Sequence, residues 1–251
     1  SPQSLAMLFE IIASSLFIVA LSFVGIILLA LKHDILKKYM WLLIAFASGT
    51  LLSAAFLHLI PEAFASFGNA PIFILSGIFM SYILESVLHW HHCRGECVSH
   101  VKPVAYLILI ADAVHNFIDG LILAAAYLAD FHLGVLTTIA IAAHEVPQEL
   151  SDFVILLKGG YEKKKALLLN FSAAITIVLG ALTTYFFAQS GEYIPILLSF
   201  AAGNFIYLSL SDLVPELHKK SSTKETIAKI AMFLIGIALL YFISGIIPEV
   251  H

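Results

Sequence analysis

Long apolar runs recur along the chain and are broken by short polar connections. A helix needs about 20 mostly apolar residues to cross the hydrocarbon of a bilayer. The pattern predicts eight such spans, over residues 8–31, 40–62, 70–90, 103–129, 134–157, 166–189, 194–216 and 226–247. A membrane β-barrel would instead show segments of about ten residues with alternating polarity. The first run is too long for a cleaved signal peptide and has no basic stretch before it, so it reads as a span. The expectation is one polytopic domain, residues 1–251, all-α and integral to a membrane.

Composition removes the soluble alternative. Hydrophobic residues make up 61% of the chain and charged residues 12%, where a soluble domain carries roughly 45–50% and about 25%. The net charge of −4 and the absence of a basic face exclude nucleic acid as a partner. Two cysteines cannot build a disulfide scaffold. The 13 lysines and arginines orient the spans. They group at Lys32, Lys37 and Lys38; at Arg94 and Lys102; at Lys158 and Lys163 to Lys165; and at Lys219, Lys220, Lys224 and Lys229. These groups follow spans one, three, five and seven, and the alternate connections hold none. By the positive-inside rule those four connections are cytoplasmic and both termini lie outside.

An internal likeness joins the two halves. Residues 46–62, FASGTLLSAAFLHLIPE, align with 200–216, FAAGNFIYLSLSDLVPE, at an offset of 154. Phe46, Ala47, Gly49, Leu59, Pro61 and Glu62 match Phe200, Ala201, Gly203, Leu213, Pro215 and Glu216, and His58 faces Asp212. With span two running outward and span seven inward, the pattern predicts an inverted repeat relating spans one to three with six to eight, as in alternating-access transporters.

Spans four and five carry the chemistry. Asp112, His115, Asn116 and Asp119 follow spacings of three and four and form one stripe. On span five, His144 pairs with Gln148 and Glu145 with Glu149, each at i, i+4, and Asp152 extends the polar face. An acid at bilayer depth costs a few kcal/mol. Five lie here with no lysine or arginine in the interior of any span, Lys229 standing in the first turn of span eight, so compensation falls to protons, water or a bound cation. Mixed imidazole and carboxylate suit Zn²⁺, Fe²⁺ or Mn²⁺ better than Mg²⁺ or Ca²⁺. Pro147 removes a helix hydrogen bond next to His144 and predicts a broken turn lining a polar cavity.

HNFIDG at 115–120 and HEVPQELSD at 144–152 resemble the fourth- and fifth-helix signatures of the ZIP metal transporters, most nearly those of the LIV-1-type branch, whose fifth helix reads HExPHExxD. The resemblance extends to the helix number, the outward termini and the short connection between helices four and five. It implies uptake of a divalent transition metal into the cytoplasm, Zn²⁺ first, with Fe²⁺, Mn²⁺ or Cd²⁺ as alternatives and no organic cofactor. It also implies a two-metal centre, elevator-like movement and a homodimer. Carried over by residue, His115, Asp119, His144 and Gln148 form a first site. Asn116, Glu145 and Glu149 form a second, with Asp119 bridging. Gln148 departs from the branch's histidine, and helix six offers Asn170, Ser172 and Thr176 where some bacterial members place a carboxylate.

Further residues mark candidate routes. His58 and Glu62 stand at the outer end of helix two, Asp212 and Glu216 at the inner end of helix seven, and Asp112 and Asp152 flank the centre. The loop HWHHCRGECVSH holds His89, His91, His92, Cys93, Cys97 and His100 as candidate cytoplasmic ligands, with reduced thiols. Glu85 is a lone acid. The competing functions are an intramembrane zinc hydrolase, because HEVPQE begins like HExxH, and a metal-sensing receptor without transport. The hydrolase lacks its second histidine and an activated nucleophile, so the chain is not expected to be an enzyme. A cell membrane, plasma or inner, is the expected location, with an organelle membrane as the alternative.

Overall fold

A computed structural model describes residues 2–24, 33–66, 68–92, 101–188, 191–218 and 221–246, and these are helical almost throughout. Helix α1 spans Pro2–Leu21. Helix α2 runs as His33–Ser53, a π-helical stretch Ala54–Leu59 and Ile60–Ser66. Helices α3, α4 and α5 span Ala70–His92, Val101–Ala129 and Phe131–Lys158. Helix α6 is Lys163–Ala174 and Thr176–Phe187, divided at Ile175. Helix α7 is Ile194–Tyr207, a π-helical stretch Leu208–Leu213 and Val214–Leu217. Helix α8 is Thr223–Ile246.

In hydrocarbon, every backbone group must find its partner inside the segment, which forces apolar runs into helices. Polar residues set the ends. Asp130 is extended and accepts from Leu133 N at 3.0 Å, capping α5. Ser222 and Glu225 bond reciprocally, side chain to backbone, at 3.3 and 2.8 Å, forming a capping box before α8. Gly160 turns the chain between α5 and α6 at φ +81°, where a Cβ would be strained.

Six described stretches are long and apolar enough to cross a membrane: Ser4–Leu21, Tyr39–Ala65, Leu109–Ala129, Lys163–Phe187, Ile194–Leu217 and Thr223–Ile246. The protein is therefore a multi-pass membrane protein. Helix α5 is not among the six although it is 28 residues long, because its second half is crowded with polar residues. The described apolar stretch of α3 is the shorter Ala70–Ser86.

The polarity of the bundle suits lipid. Phe9, Phe187 and Ile246 are 73%, 80% and 78% exposed, while Asp112, Asn116, Asp119, His144, Glu145 and Glu149 are buried. With no hydrophobic force to drive helices together inside lipid, close backbone approach takes over. A Cβ on Gly49 of α2 would lie 2.1 Å from the Phe233 carbonyl oxygen of α8, and one on Gly236 would lie 2.3 Å from that of Phe46. The pairing of α3 with α7 repeats this. A Cβ on Gly203 would meet the Ile74 oxygen at 2.0 Å, and one on Gly77 the Phe200 oxygen at 2.2 Å. Offsets of 154 from α2 to α7 and 159 from α3 to α8 carry one set of contacts onto the other.

The π-helical stretches obey the same offset: 154 residues carry Ala54–Leu59 onto Leu208–Leu213. Each ends two residues before a proline, Pro61 or Pro215. A proline leaves the carbonyl four residues back without its amide. The preceding turn widens, so that Ile60 N bonds Ala55 O and Val214 N bonds Ser209 O, five residues back. The expected broken turn at Pro147 is absent. Helix α5 stays α-helical across that proline, and the irregular turns fall in α2 and α7. Helix α2 also continues to Ser66, beyond the end expected at Glu62.

Candidate metal centre

The stripe on α4 faces the polar side of α5 at the middle of the bundle. The nitrogen Nε2 of His115, Oδ2 of Asp119, Nε2 of His144 and Oε1 of Glu145 converge so that all lie within 4.8 Å of one another. The separations from His144 Nε2 are 3.0 Å to Asp119, 3.2 Å to His115 and 3.6 Å to Glu145. Those from His115 Nε2 are 3.6 Å to Asp119 and 3.8 Å to Glu145. A tetrahedral ion bonded at about 2.0–2.1 Å spaces its ligand atoms about 3.3–3.4 Å apart, and the five separations straddle that value.

The hydrogen bonding also fits a cation. His144 Nδ1 lies 3.1 Å from the Ala140 carbonyl, which can only accept, so the neutral ring holds its proton on Nδ1. Its Nε2 then offers a lone pair toward the Asp119 carboxylate, and two acceptors this close need a positive charge between them. A backbone carbonyl on the far nitrogen also orients a ligating imidazole and raises its basicity. Side-chain exposure is 0% for Asp119, 1% for His144 and Glu145, and 15% for His115, which opens the centre on one flank only.

The other expected ligands stand around this cluster. The Asp112 Oδ1 atom accepts from Asn116 Nδ2 at 2.9 Å and from Gln148 Nε2 at 3.0 Å. The Glu149 carboxylate accepts from Asn170 Nδ2 of α6. Asp112, Asn116, Asp119, Glu145, Glu149 and Asn170 each keep a buried oxygen without a donor among the described residues. Leaving such an acceptor bare costs about 1–3 kcal/mol. Carboxylate and amide oxygens gathered in this way are a donor set for metal.

Two cavities lie toward opposite ends of α5, and the first of them reaches the centre. One, about 390 Å³, reaches Asp112, His115, Gln148 and Asp152 and is walled by Glu85 of α3 and Asn204, Tyr207 and Asp212 of α7. The Glu85 carboxylate accepts from the Tyr207 hydroxyl, so this acid belongs to the wall of the route. Glu216 does not line it. The other cavity, about 640 Å³, is lined by His58 and Glu62 of α2, Asp130 and His132 of α5, and Tyr241 and Ser244 of α8. The His58 and His132 rings lie edge to face at 6.4 Å, each with a buried Nε2 that has no partner among the described residues. Asp130 and His132 escaped the sequence reading. The available signal was an Asp-x-His at the foot of the most polar helix. Of the candidate ligands expected in the loop after α3, the side chains of His89, His91 and His92, together with Cys93, Cys97 and His100, lie outside the described residues.

A multi-pass membrane protein with two imidazoles and two carboxylates converging inside the bundle, reached by a cavity that several acids line, has the donor set of the class that handles metal within the bilayer. Comparison with known proteins narrows the class. Residues 89–244 match the family profile described as ZIP Zinc transporter. Zinc transporter zipt-7.2 of Caenorhabditis elegans is 39% identical over 149 residues, covering 57% of this chain and 32% of the relative. Zinc transporter ZIP13 of Pongo abelii is 31% identical over 220 residues, covering 80% of this chain and 66% of the relative. Metal cation symporter ZIP8 of Rattus norvegicus is 38% identical over 134 residues, covering 53% and 29%. This chain belongs to the ZIP zinc transporter family, and ZIP13 and ZIP8 are members of its LIV-1 branch. The chain spans from about a third to two thirds of the length of these relatives.

Proposed function

We propose that this chain carries divalent transition-metal ions, with Zn²⁺ preferred and Fe²⁺, Mn²⁺ and Cd²⁺ as further candidates, across a membrane into the cytoplasm by alternating access. The observation that carries this reading is the convergence of four ligand atoms, three of them on buried residues, within 4.8 Å of one another beside a cavity that reaches His115 and several acids. The charges suit the cargo. Two carboxylates and two neutral imidazoles around a divalent ion sum to zero, so the loaded centre bears little of the desolvation cost of a buried charge. A monovalent ion leaves a net negative charge and a trivalent one a positive charge.

The orientation in this proposal follows the charge rule: eight spans, both termini outside, and an inverted repeat of helices one to three with six to eight. The matched glycine crossings and π-helical turns of α2 and α7 support the repeat. The cavity at Asp130 then faces outward, with His58, Glu62 and His132 collecting the ion. His132 precedes His144 by twelve residues on α5, a rise of about 18 Å at 1.5 Å per residue. The opposite cavity faces the cytoplasm, where Asp112, Asp152 and Asp212 receive the ion and Glu216 follows at the surface. Asn116, Glu149 and Asp119 surround a candidate second ion beside Glu145. A homodimer in the cell membrane completes the proposal. The hydrolase alternative finds no support, because the Gln148 amide is turned toward Asp112.

Uptake of ⁶⁵Zn into sealed vesicles holding the purified chain tests the reading. Time-dependent accumulation that dissipates when the gradient is removed is expected, and binding without accumulation contradicts it. Ligands must be deprotonated to hold metal. Apparent affinity should therefore fall at least about tenfold between pH 7 and pH 5 at a constant metal gradient, and equal uptake at both pH values removes these ligands from the path. At the outer cavity, His132→Ala is expected to raise the metal concentration for half-maximal uptake severalfold while the maximal rate stays near that of the unmodified chain. A change in rate alone would move His132 off the loading route.

A further inference from the structure

The side chain at 148 is the one place in HEVPQELSD where a good ligand of the resembled motif is exchanged for an amide. Its geometry gives the amide a different task. Gln148 Nε2 donates to Asp112 Oδ1 at 3.0 Å, and Asn116 Nδ2 donates to the same oxygen at 2.9 Å and to the Asp112 carbonyl at 3.1 Å. The nitrogen end of each amide must face Asp112, because an amide oxygen there would repel the carboxylate. Two donors from α4 and α5 thus pin one carboxylate oxygen. The second oxygen, Oδ2, is buried and has no donor among the described residues.

The position of this clamp matters. Asp112 stands three residues before His115 on α4, and Gln148 four residues after His144 on α5, so the pair forms the next layer of the bundle below the four-ligand centre. Asp112, His115 and Gln148 line the same cavity, with Asp152 and Asp212 further along it. A free carboxylate would swing into the centre and add a third negative charge beside Asp119 and Glu145. A clamped one holds its remaining oxygen where an ion leaving His115 would meet it.

We propose that Gln148 is a positioning residue and not a metal ligand: with Asn116 it fixes the Asp112 carboxylate as a separate release ligand for a divalent transition metal, one layer below the four-ligand centre. The inference rests on the transport reading above. Gln148 then governs how fast the ion leaves and leaves the tightness of the centre to its four own ligands. A histidine or glutamate at 148 would couple the two layers.

The test combines equilibrium Zn²⁺ binding with ⁶⁵Zn uptake on the purified full chain, for Gln148→Met, Asp112→Asn and the double variant. Methionine keeps the length of glutamine and removes its donor. Expected for Gln148→Met is a zinc Kd within about twofold of the unmodified chain and a maximal uptake rate lowered about tenfold. The double variant should be no slower than the slower single one, because both changes remove the same interaction. A Kd raised tenfold or more in Gln148→Met, or rate losses that multiply in the double variant, overturns the proposal by making Gln148 a ligand or an independent element. Should Gln148→Met fail to fold, Gln148→Leu is read by the same two measurements. If the unmodified chain moves no zinc, the transport reading falls first; if it does and Gln148→Met behaves as a lost ligand, only the release ligand falls.

Discussion

Replacing Asp119 by alanine is expected to lower ⁶⁵Zn uptake at sub-saturating metal by at least about 100-fold while leaving the yield of folded protein unchanged. Asp119 Oδ2 is the atom nearest to His144 Nε2, at 3.0 Å, and also approaches His115 Nε2 at 3.6 Å. Its removal takes one ligand and one of the two negative charges that neutralise the ion. The loaded centre would then carry a net positive charge within a fully buried site. Breaking a buried charge pair costs about 3–5 kcal/mol, and about 1.4 kcal/mol is tenfold, so 100-fold is the lower bound. Folding should tolerate the change, because Asp119 Oδ1 has no donor among the described residues and deleting the carboxylate removes a desolvated acceptor. His115→Ala removes a neutral ligand at the open flank of the site and is expected to cost less, about tenfold or more. Uptake and size-exclusion profiles of both variants are the measurements. An Asp119→Ala chain of normal yield that keeps a tenth of the uptake would remove Asp119 from the ligand set.

Much of this centre was legible because helical spacing converts directly into faces. Asp112, His115, Asn116 and Asp119 had to share a stripe once their span was helical, and acids in an apolar run had to meet a counter-charge. The finer grouping was not legible. Glu145 and Gln148 lie on adjacent rows of α5, and spacing alone could not say which turns toward His115. The rotation of α5 against α4 decides it, and that rotation is set by packing remote from either motif. Pro147 misled for a related reason. A proline removes one hydrogen bond but does not dictate whether the helix breaks or absorbs the loss. Pro61 and Pro215, which read as helix ends, are the ones that widen the turn before them. The outer histidine pair was invisible because His58 and His132 are 74 residues apart in sequence and meet only through the packing of α2 on α5.

The stability of the centre depends on a crossing that carries no chemistry, and Gly120→Ala tests it. A Cβ at Gly120 would lie 2.0 Å from the Ile177 carbonyl oxygen of α6, and one at Gly180 would lie 2.0 Å from that of Phe117 of α4. Backbone cannot yield as a flexible side chain can, so the two helices must separate. The crossing is also tied by Thr176 Oγ1 to the Ala113 carbonyl at 2.6 Å and Thr184 Oγ1 to the Leu121 carbonyl at 3.1 Å, one bond on either side of the glycines. Overpacking costs about 1–3 kcal/mol, and each stretched bond adds about 0.5–1.5 kcal/mol. In a chain of this size about 1 kcal/mol moves Tm by roughly 2–4 °C, so Gly120→Ala should lower the melting temperature in detergent by about 5–15 °C. Uptake should fall with it, since Asp119 is the neighbouring residue and the displacement of α4 carries the ligands away from α5. Gly245→Ala is the control: it is also helical, but a Cβ there meets nothing within 4 Å, so Tm should stay within about 2 °C. Equal melting temperatures for Gly120→Ala and Gly245→Ala would mean that the α4–α6 crossing is loose, and that the centre is held in register by α5 alone.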